Sequence, residues 1–265
     1  MRSLLIPIVL FFAFTSFSQT QDAAKWRDEI LSDSLVSKTD SMAEASKYSL
    51  GPVWTTTDNA ITLGFIGKNY QRIRIKLITA VKSGDKAPNT YAVSGASLVN
   101  KTFRRFNGTI RITHFRYLNP EADPAVQNEF AEKGAKKRGI LFGDYTFTEE
   151  GKGPHTGVFT GILYSAFYID AKDVLHYDDL ELGADGFANN QFVGTWTSSD
   201  GKLSLACNWG DARIPLSGPL DVGDGEFSPA KEFIKYGWQS YVDAYFKSPQ
   251  DEKALAEQSA KWWER

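Results

Sequence analysis

The chain has 265 residues, 42% hydrophobic and 14% aromatic, with 30 Lys and Arg against 32 Asp and Glu for a net charge of −2. That apolar content can build a substantial core, and the near-balance of charge gives no reason to expect a nucleic-acid partner. The single cysteine, Cys207, excludes an intramolecular disulfide, so the fold must be held by burial of apolar surface.

Met1–Ser18 has the three parts of a secretory signal: Arg2, an unbroken apolar run Leu4–Phe14, and the small-residue pattern Ser16-Phe17-Ser18. Cleavage is expected after Ser18, giving a secreted or periplasmic protein. The eleven-residue run covers about half of the ~20 residues that a helix needs to cross a bilayer, so no transmembrane segment is expected in the mature chain. Four regions follow: the signal (1–18), a helical and linker segment (19–50), a β-rich domain (51–227) and a helical tail (228–265).

Asp22–Tyr48 is polar, with Trp26, Ile30, Leu31 and Leu35 near helical spacing. This predicts a short amphipathic helix packed outside the main domain. From about Val53 the period changes to two. In the segment Arg72–Leu77, Ile73, Ile75 and Leu77 share one face while Arg72, Arg74 and Lys76 share the other, the pattern of a strand with one buried and one wet face. Further strands are expected at Ala60–Ile66, Thr90–Val99, Phe103–Tyr117, Gly139–Thr148, Gly157–Ile169, Phe187–Ser198 and near Leu203–Asn208. The longest interruption, Asn119–Lys137, contains Pro120 and Pro124 and should hold at least a helical turn. Strands joined in this way form an antiparallel meander, which curls into a barrel or a two-sheet sandwich to close its edges. In the tail, Ser228-Pro229 begins one helix, whose stripe is Ile234, Trp238, Tyr241, Val242 and Tyr245. Ser248-Pro249 repeats the device for a second, running through Trp262 and Trp263. The first stripe should cover one end or face of the barrel.

Charge is unevenly spread: Gly64–Leu118 holds eleven basic residues and one acid, whereas Ile140–Glu232 holds 15 acids and 5 bases. Two readings stand, a surface for an anionic envelope partner or pairing of basic with acidic strands across the sheet.

Chemistry is sparse. Gly-x-Ser-x-Gly, a phosphate loop and the dinucleotide fingerprint are all absent, and His114, His155 and His176 lack metal-ligand spacing, so no cofactor or metal is expected. The acid-rich stretch His176–Gln191 and the group Asp221, Asp224 and Glu226 offer oxygens to calcium, but solvated turns explain both better. Carboxylates such as Asp144, Asp170 or Asp211 would serve a hydrolase only if two converged. Two candidate ligand sites remain. In Cys207–Pro215, Trp209 would stack on a sugar while Asn208 and Asp211 hold its hydroxyls, unless Asp211 and Arg213 merely pair. The other is a barrel mouth: by alternation His114 and Arg116 share a face with Ile110 and Ile112, whereas a single bulge between Ile112 and His114 would turn both outward.

An aromatic-x-Gly-x-apolar pattern recurs as Phe106–Ile110, Phe159–Leu163 and Phe192–Trp196, with a variant at Leu141–Tyr145. Glycine in mid-strand permits a bend or close approach, and Asn107-Gly108 is also a possible hairpin turn. These strands, with Gly194-Thr195-Trp196 among them, resemble those of the calycin group, the lipocalins and avidins. The resemblance implies an antiparallel barrel binding a small ligand inside. Lipocalins, however, carry Gly-x-Trp in their first strand and lack this helical tail. Phe17-Ser18-Gln19, Phe192–Trp196 and Cys207–Asp211 more closely resemble exported β-rich proteins of envelope-bearing bacteria, which implies export and no particular activity. The leading expectation is a non-enzymatic binding domain for a small molecule or glycan, and the alternative is a structural or interaction protein with an envelope partner.

Overall fold

A computed structural model describes residues 13–265 except 85, 86, 88, 122 and 154, with side chains described from residue 21 onward. Most of the expected signal, Met1–Ser18, lies outside the described residues.

The described residues form nine strands: β1 Thr62–Ile66, β2 Gln71–Lys82, β3 Thr90–Val99, β4 Thr102–Tyr117, β5 Lys137–Glu149, β6 Gly157–Ile169, β7 Leu175–Tyr177, β8 Asn189–Ser198 and β9 Ser204–Asp211. All pairings are antiparallel. The order β5-β4-β3-β2-β1-β9-β8-β6, with β6 returning to β5, closes an eight-stranded barrel. β7 is an extra strand on the far end of β6, through Phe167↔Tyr177 to Ile169↔Leu175. Closure leaves the barrel strands without free edges, as expected for a long meander. The short β7 carries too little alternation to be legible in sequence. The region from Val53 differs from expectation: Gly51–Thr55 is a helix, and strand structure begins only at Thr62.

Side chains alternate along every strand. The inner set includes Ile73, Ile75, Phe106, Ile110, Tyr145, Phe147, Phe159, Leu163, Phe192, Cys207 and Trp209, which form one buried cluster. The recurrent glycines lie within strands: Gly108 pairs with Val93 on one side and Phe147 on the other, which settles Asn107-Gly108 against a hairpin. Gly161 and Gly194 face each other across β6 and β8. A Cβ on Gly161 would approach the Cα of Gly194 to 2.7 Å and the hydroxyl of Tyr145 to 2.8 Å, so their bareness makes the space that the Tyr145 ring fills.

The segment between α1 (Ala13–Ser32) and β1 plugs one end of the barrel through two short helices, α2 (Met42–Ala45) and α3 (Gly51–Thr55). Leu50, Val53 and Trp54 join the inner cluster, and Tyr48 stacks on Phe115 at 6.0 Å. Buried polar groups fix the plug. Trp54 Nε1 donates to Ser165 Oγ (3.0 Å), Ser165 Oγ to Asn190 Oδ1 (2.7 Å), and Asn190 Nδ2 back to the Val53 carbonyl (2.8 Å). Satisfied in this way, the chain removes the cost of burying these groups and specifies one seating of the plug. α1 packs on the outer wall, where Trp26, Ile30 and Leu31 meet Ile140, Phe142 and Tyr164, as the helical spacing predicts.

After α4 (Pro124–Glu132) in the long connection, the remaining α-helices among the described residues lie in the tail. The helix expected from Ser228-Pro229 through Tyr245 is broken. Lys231–Tyr236 is a 3-10 turn, Gly237 takes a left-handed φ of 92°, and α5 runs Gln239–Tyr245. The last helix, α6, is Glu252–Ser259, capped by Asp251 rather than Ser248, and it ends before Trp262. Trp238 and Tyr241 cover Leu63 and Phe65 on the outside of β1. The tail also covers the outer face of β2 from Arg72 to Lys76, so that part is not wet, while Thr79 and Val81 farther along stay exposed. Arg72 is 7% exposed, donates to Gln258 Oε1 at 2.6 Å, and lies 5.3 and 5.6 Å from the Trp238 and Tyr241 ring centres. Burial pushes its guanidinium down to about 9. Arg74 bonds Glu257, Lys76 lies under the Trp263 ring, and Trp262 is buried edge-on to Phe103. Part of the basic excess is thus covered by the chain's own tail, and Arg111 pairs with Asp144 across β4 and β5.

Candidate functional site

The end of the barrel opposite the plug is formed by the turns β1–β2, β3–β4, β5–β6 and β8–β9, and it holds a cavity of about 320 Å³. This lies at the small end of the ~300–1,000 Å³ usual for ligand cavities. Its walls are Ile66, Ile73, Val99, Phe159, Trp196 and Leu205, with Leu203 and His155 at the rim. Polar groups converge from four strands and a turn: Ser97, Arg104, Glu149, Gln71 and Asn100.

Each is placed by alternation. Glu149 is the last residue of β5 and continues the inner set Leu141, Gly143, Tyr145, Phe147. It is 8% exposed and accepts three hydrogen bonds: Ser97 Oγ at 2.6 Å on one oxygen, and Trp196 Nε1 at 2.9 Å with the Gly157 amide at 3.0 Å on the other. Arg104 lies two residues before Phe106 on the inner face of β4. Its Nη1 donates to the Phe103 carbonyl at 3.1 Å, and its Nε is buried with no partner among the described residues. Gln71 Nε2 donates to Asn100 Oδ1 (3.1 Å) and the Tyr236 carbonyl (2.8 Å), tying the rim to the tail.

Sequence reasoning missed this group. The signal for it was parity, since an acid at Glu149 ends a run of inward residues and Arg104 continues the inward set of Phe106. Without knowing which strand ends meet around the barrel, such parity does not identify a site.

The residues singled out from sequence lie elsewhere. The register of β4 on β5 shifts between Ile112 and His114. This bulge turns His114 and Arg116 outward, away from any mouth. His114 packs edge-on to Phe142 at 6.3 Å, and Arg116 reaches Asp40 and the Leu31 carbonyl beside α1. Burial, the largest influence, lowers the His114 pKa. Trp209 is 2% exposed inside the barrel, stacked on Phe192 at 4.6 Å, and presents no face to a sugar. Asn208, on the opposite face of β9, accepts from the Gly194 amide and donates to the Pro215 carbonyl, both at 3.1 Å. Arg213 pairs with Asp221 at 2.9 Å instead of Asp211 and donates to the Gly223 and Gly225 carbonyls, holding the glycine-rich loop. In the acid-rich stretch, Asp178 and Glu181 share Arg138, both at 2.8 Å. Asp144 pairs with Arg111 on the outer wall, and Asp170 bonds His176 beside β7.

Asp211 is buried where the plug meets the barrel, accepting from Thr62 Oγ1 at 2.8 Å and the Tyr177 hydroxyl at 3.2 Å. Burial outweighs these bonds and raises its carboxyl from 3.8 to about 6. Because the native state then holds the proton more tightly than the unfolded chain, this group's contribution to stability falls as pH rises from about 4 to about 6. Asp211→Asn is expected to flatten that fall in urea midpoints measured across this window. A steeper fall in the variant would contradict the assignment.

Cys207 is fully buried among the inner residues, and burial, then the charge of Glu149, pushes its thiol well above the ordinary value. A thiol reagent is expected to leave the native protein unlabelled over hours and to label one group promptly in denaturant.

Among the described residues no helix is long and apolar enough to cross a membrane. Comparison with protein-family models, with curated proteins and with solved structures finds no match to this chain.

Proposed function

We propose that the protein is a non-enzymatic binding module that takes a small organic molecule into the unplugged end of its barrel. The observation that carries this reading is the 320 Å³ cavity, walled by apolar side chains and entered by a few fixed polar groups. That combination is the usual construction of a ligand site, with apolar walls supplying affinity and polar groups supplying orientation. The likeness of the Phe-x-Gly-x-apolar strands to calycins supports the same reading. The signal-like character of Met1–Ser18 supports a secreted or periplasmic location, with a mature chain starting at Gln19.

The test is a thermal-shift screen of small metabolites and monosaccharides against the protein and against Val99→Trp, which fills the cavity. Compounds that stabilise the first and not the second support the reading, while equal shifts in both place binding elsewhere and overturn it. One observation favours the alternative of an interaction protein: the middle of the barrel is filled by its own aromatic side chains. Under that alternative no small compound stabilises either form.

A further inference from the structure

We infer that the cavity selects a compact organic anion, a monocarboxylate on an aromatic or branched body of about ten heavy atoms, with its carboxylate on Arg104. This rests on the cavity being a ligand site and adds the charge and size of the ligand.

The inference comes from counting which polar groups are already satisfied. Three charged or titratable side chains line the space: Glu149, Arg104 and the exposed rim residue His155. Glu149 would be the natural host of a cation, yet donors from Ser97, Gly157 and Trp196 already occupy both of its oxygens. Arg104 is the reverse. A guanidinium offers five N–H donors. The one bond found here for Arg104 uses Nη1, which leaves the Nη2 end of the fork without a partner among the described residues, whereas Nε is buried away from the cavity. Beside it, Asn100 has its side-chain oxygen engaged by Gln71. With Glu149 engaged on both oxygens, the one charged group of the lining with open valence is therefore a donor, Arg104. A ligand brings acceptors to such a site, and a carboxylate matches the planar fork of arginine with two parallel bonds.

Size follows from the volume. At roughly 30 Å³ per water-sized group, 320 Å³ holds about ten such groups. The apolar walls are Phe159 and Trp196 with Ile66, Ile73, Val99 and Leu205, which suit a ring or a branched body better than a long chain.

The experiment is calorimetric titration of the protein with three probes that share one phenylpropyl body, 3-phenylpropanoate, 3-phenylpropanol and 3-phenylpropylamine, repeated on Arg104→Gln and Val99→Trp. The expected result is that the carboxylate binds at least tenfold more tightly than the alcohol and the amine. Arg104→Gln should lower carboxylate affinity at least tenfold and remove that preference, and Val99→Trp should weaken all three. Equal affinity of carboxylate and alcohol, or preference for the amine, overturns the charge assignment while the cavity reading stands. Binding that Val99→Trp leaves untouched, or no binding of any probe, overturns both. The comparison among probes on the unaltered protein decides the matter even where a variant fails to fold.

Discussion

Trp209→Ala is expected to lower the unfolding free energy by about 3–5 kcal/mol, measured from urea or guanidinium curves, because it removes a large ring from a space that cannot collapse. Trp209 is stacked on Phe192 at 4.6 Å and meets Tyr145 at 5.3 Å and Phe159 at 6.1 Å edge-on, so rings contributed by three other strands close on it. Each of those strands is hydrogen-bonded on both sides in the closed barrel, which prevents the wall from moving in to fill the void. The same substitution separates the two roles considered for this residue. A sugar-stacking tryptophan at the surface would cost binding and little stability, whereas a barrel-centre tryptophan costs stability first. A loss below about 1 kcal/mol would mean that Trp209 is not packed as described.

Gly194→Ala is expected to be similarly damaging, at or above the upper end of the ~1–3 kcal/mol usual for overpacking. An alanine Cβ there would run into the carbonyl oxygen of Thr160 and the hydroxyl of Tyr145, and would stand 2.9 Å from the Cα of Gly161. The first and last of these are backbone atoms held in the β6–β8 ladder, so rotation of a side chain cannot relieve them. Tyr145→Phe gives the control. Its hydroxyl is buried with no hydrogen-bond partner among the described residues, so removing it alone should leave stability equal or higher. Combined with Gly194→Ala, it should recover only part of the loss, because Thr160 stays in place. Full recovery in the double variant would show that the tyrosine hydroxyl alone sets the need for glycine. Both outcomes are read from chemical unfolding midpoints.

The two substitutions probe one design. A barrel of eight strands has an interior that side chains fill, and here aromatic rings fill it, with two facing glycines yielding the space for Tyr145. Filling leaves room only at the ends. The segment following α1 occupies one end through Trp54 and its hydrogen-bonded partners, and the other retains the cavity around Glu149 and Arg104. The position of the candidate site is thus a consequence of how the interior is packed and which end the chain itself plugs.

Much of this architecture follows from local pattern. Alternation in Ile73, Ile75 and Leu77 fixes an inward face because side chains on a strand repeat every two residues, and the same rule located the long strands to within a few residues. Pro124, following Asp123, marks the start of α4 through a cap and a fixed φ, both local effects. What local pattern could not decide was anything depending on count or contact at a distance. One extra residue at the Ile112–His114 bulge reverses the facing of His114 and Arg116, and no residue there announces it. Arg72, Arg74 and Lys76 look solvated until the tail, some 180 residues later, lies over them. Trp209 carries the same surface-like neighbours whether it faces water or the barrel centre, and only closure of β9 onto β1 and β8 puts it inside. The sequence by itself determined the long strands, the inner face of β2 and an antiparallel meander that curls into a barrel or a sandwich, because these rest on a period of two residues. The tertiary structure alone decided which end is plugged, which cations are covered, and that Glu149 and Arg104 share a cavity, because each depends on strands far apart in the chain meeting in one register.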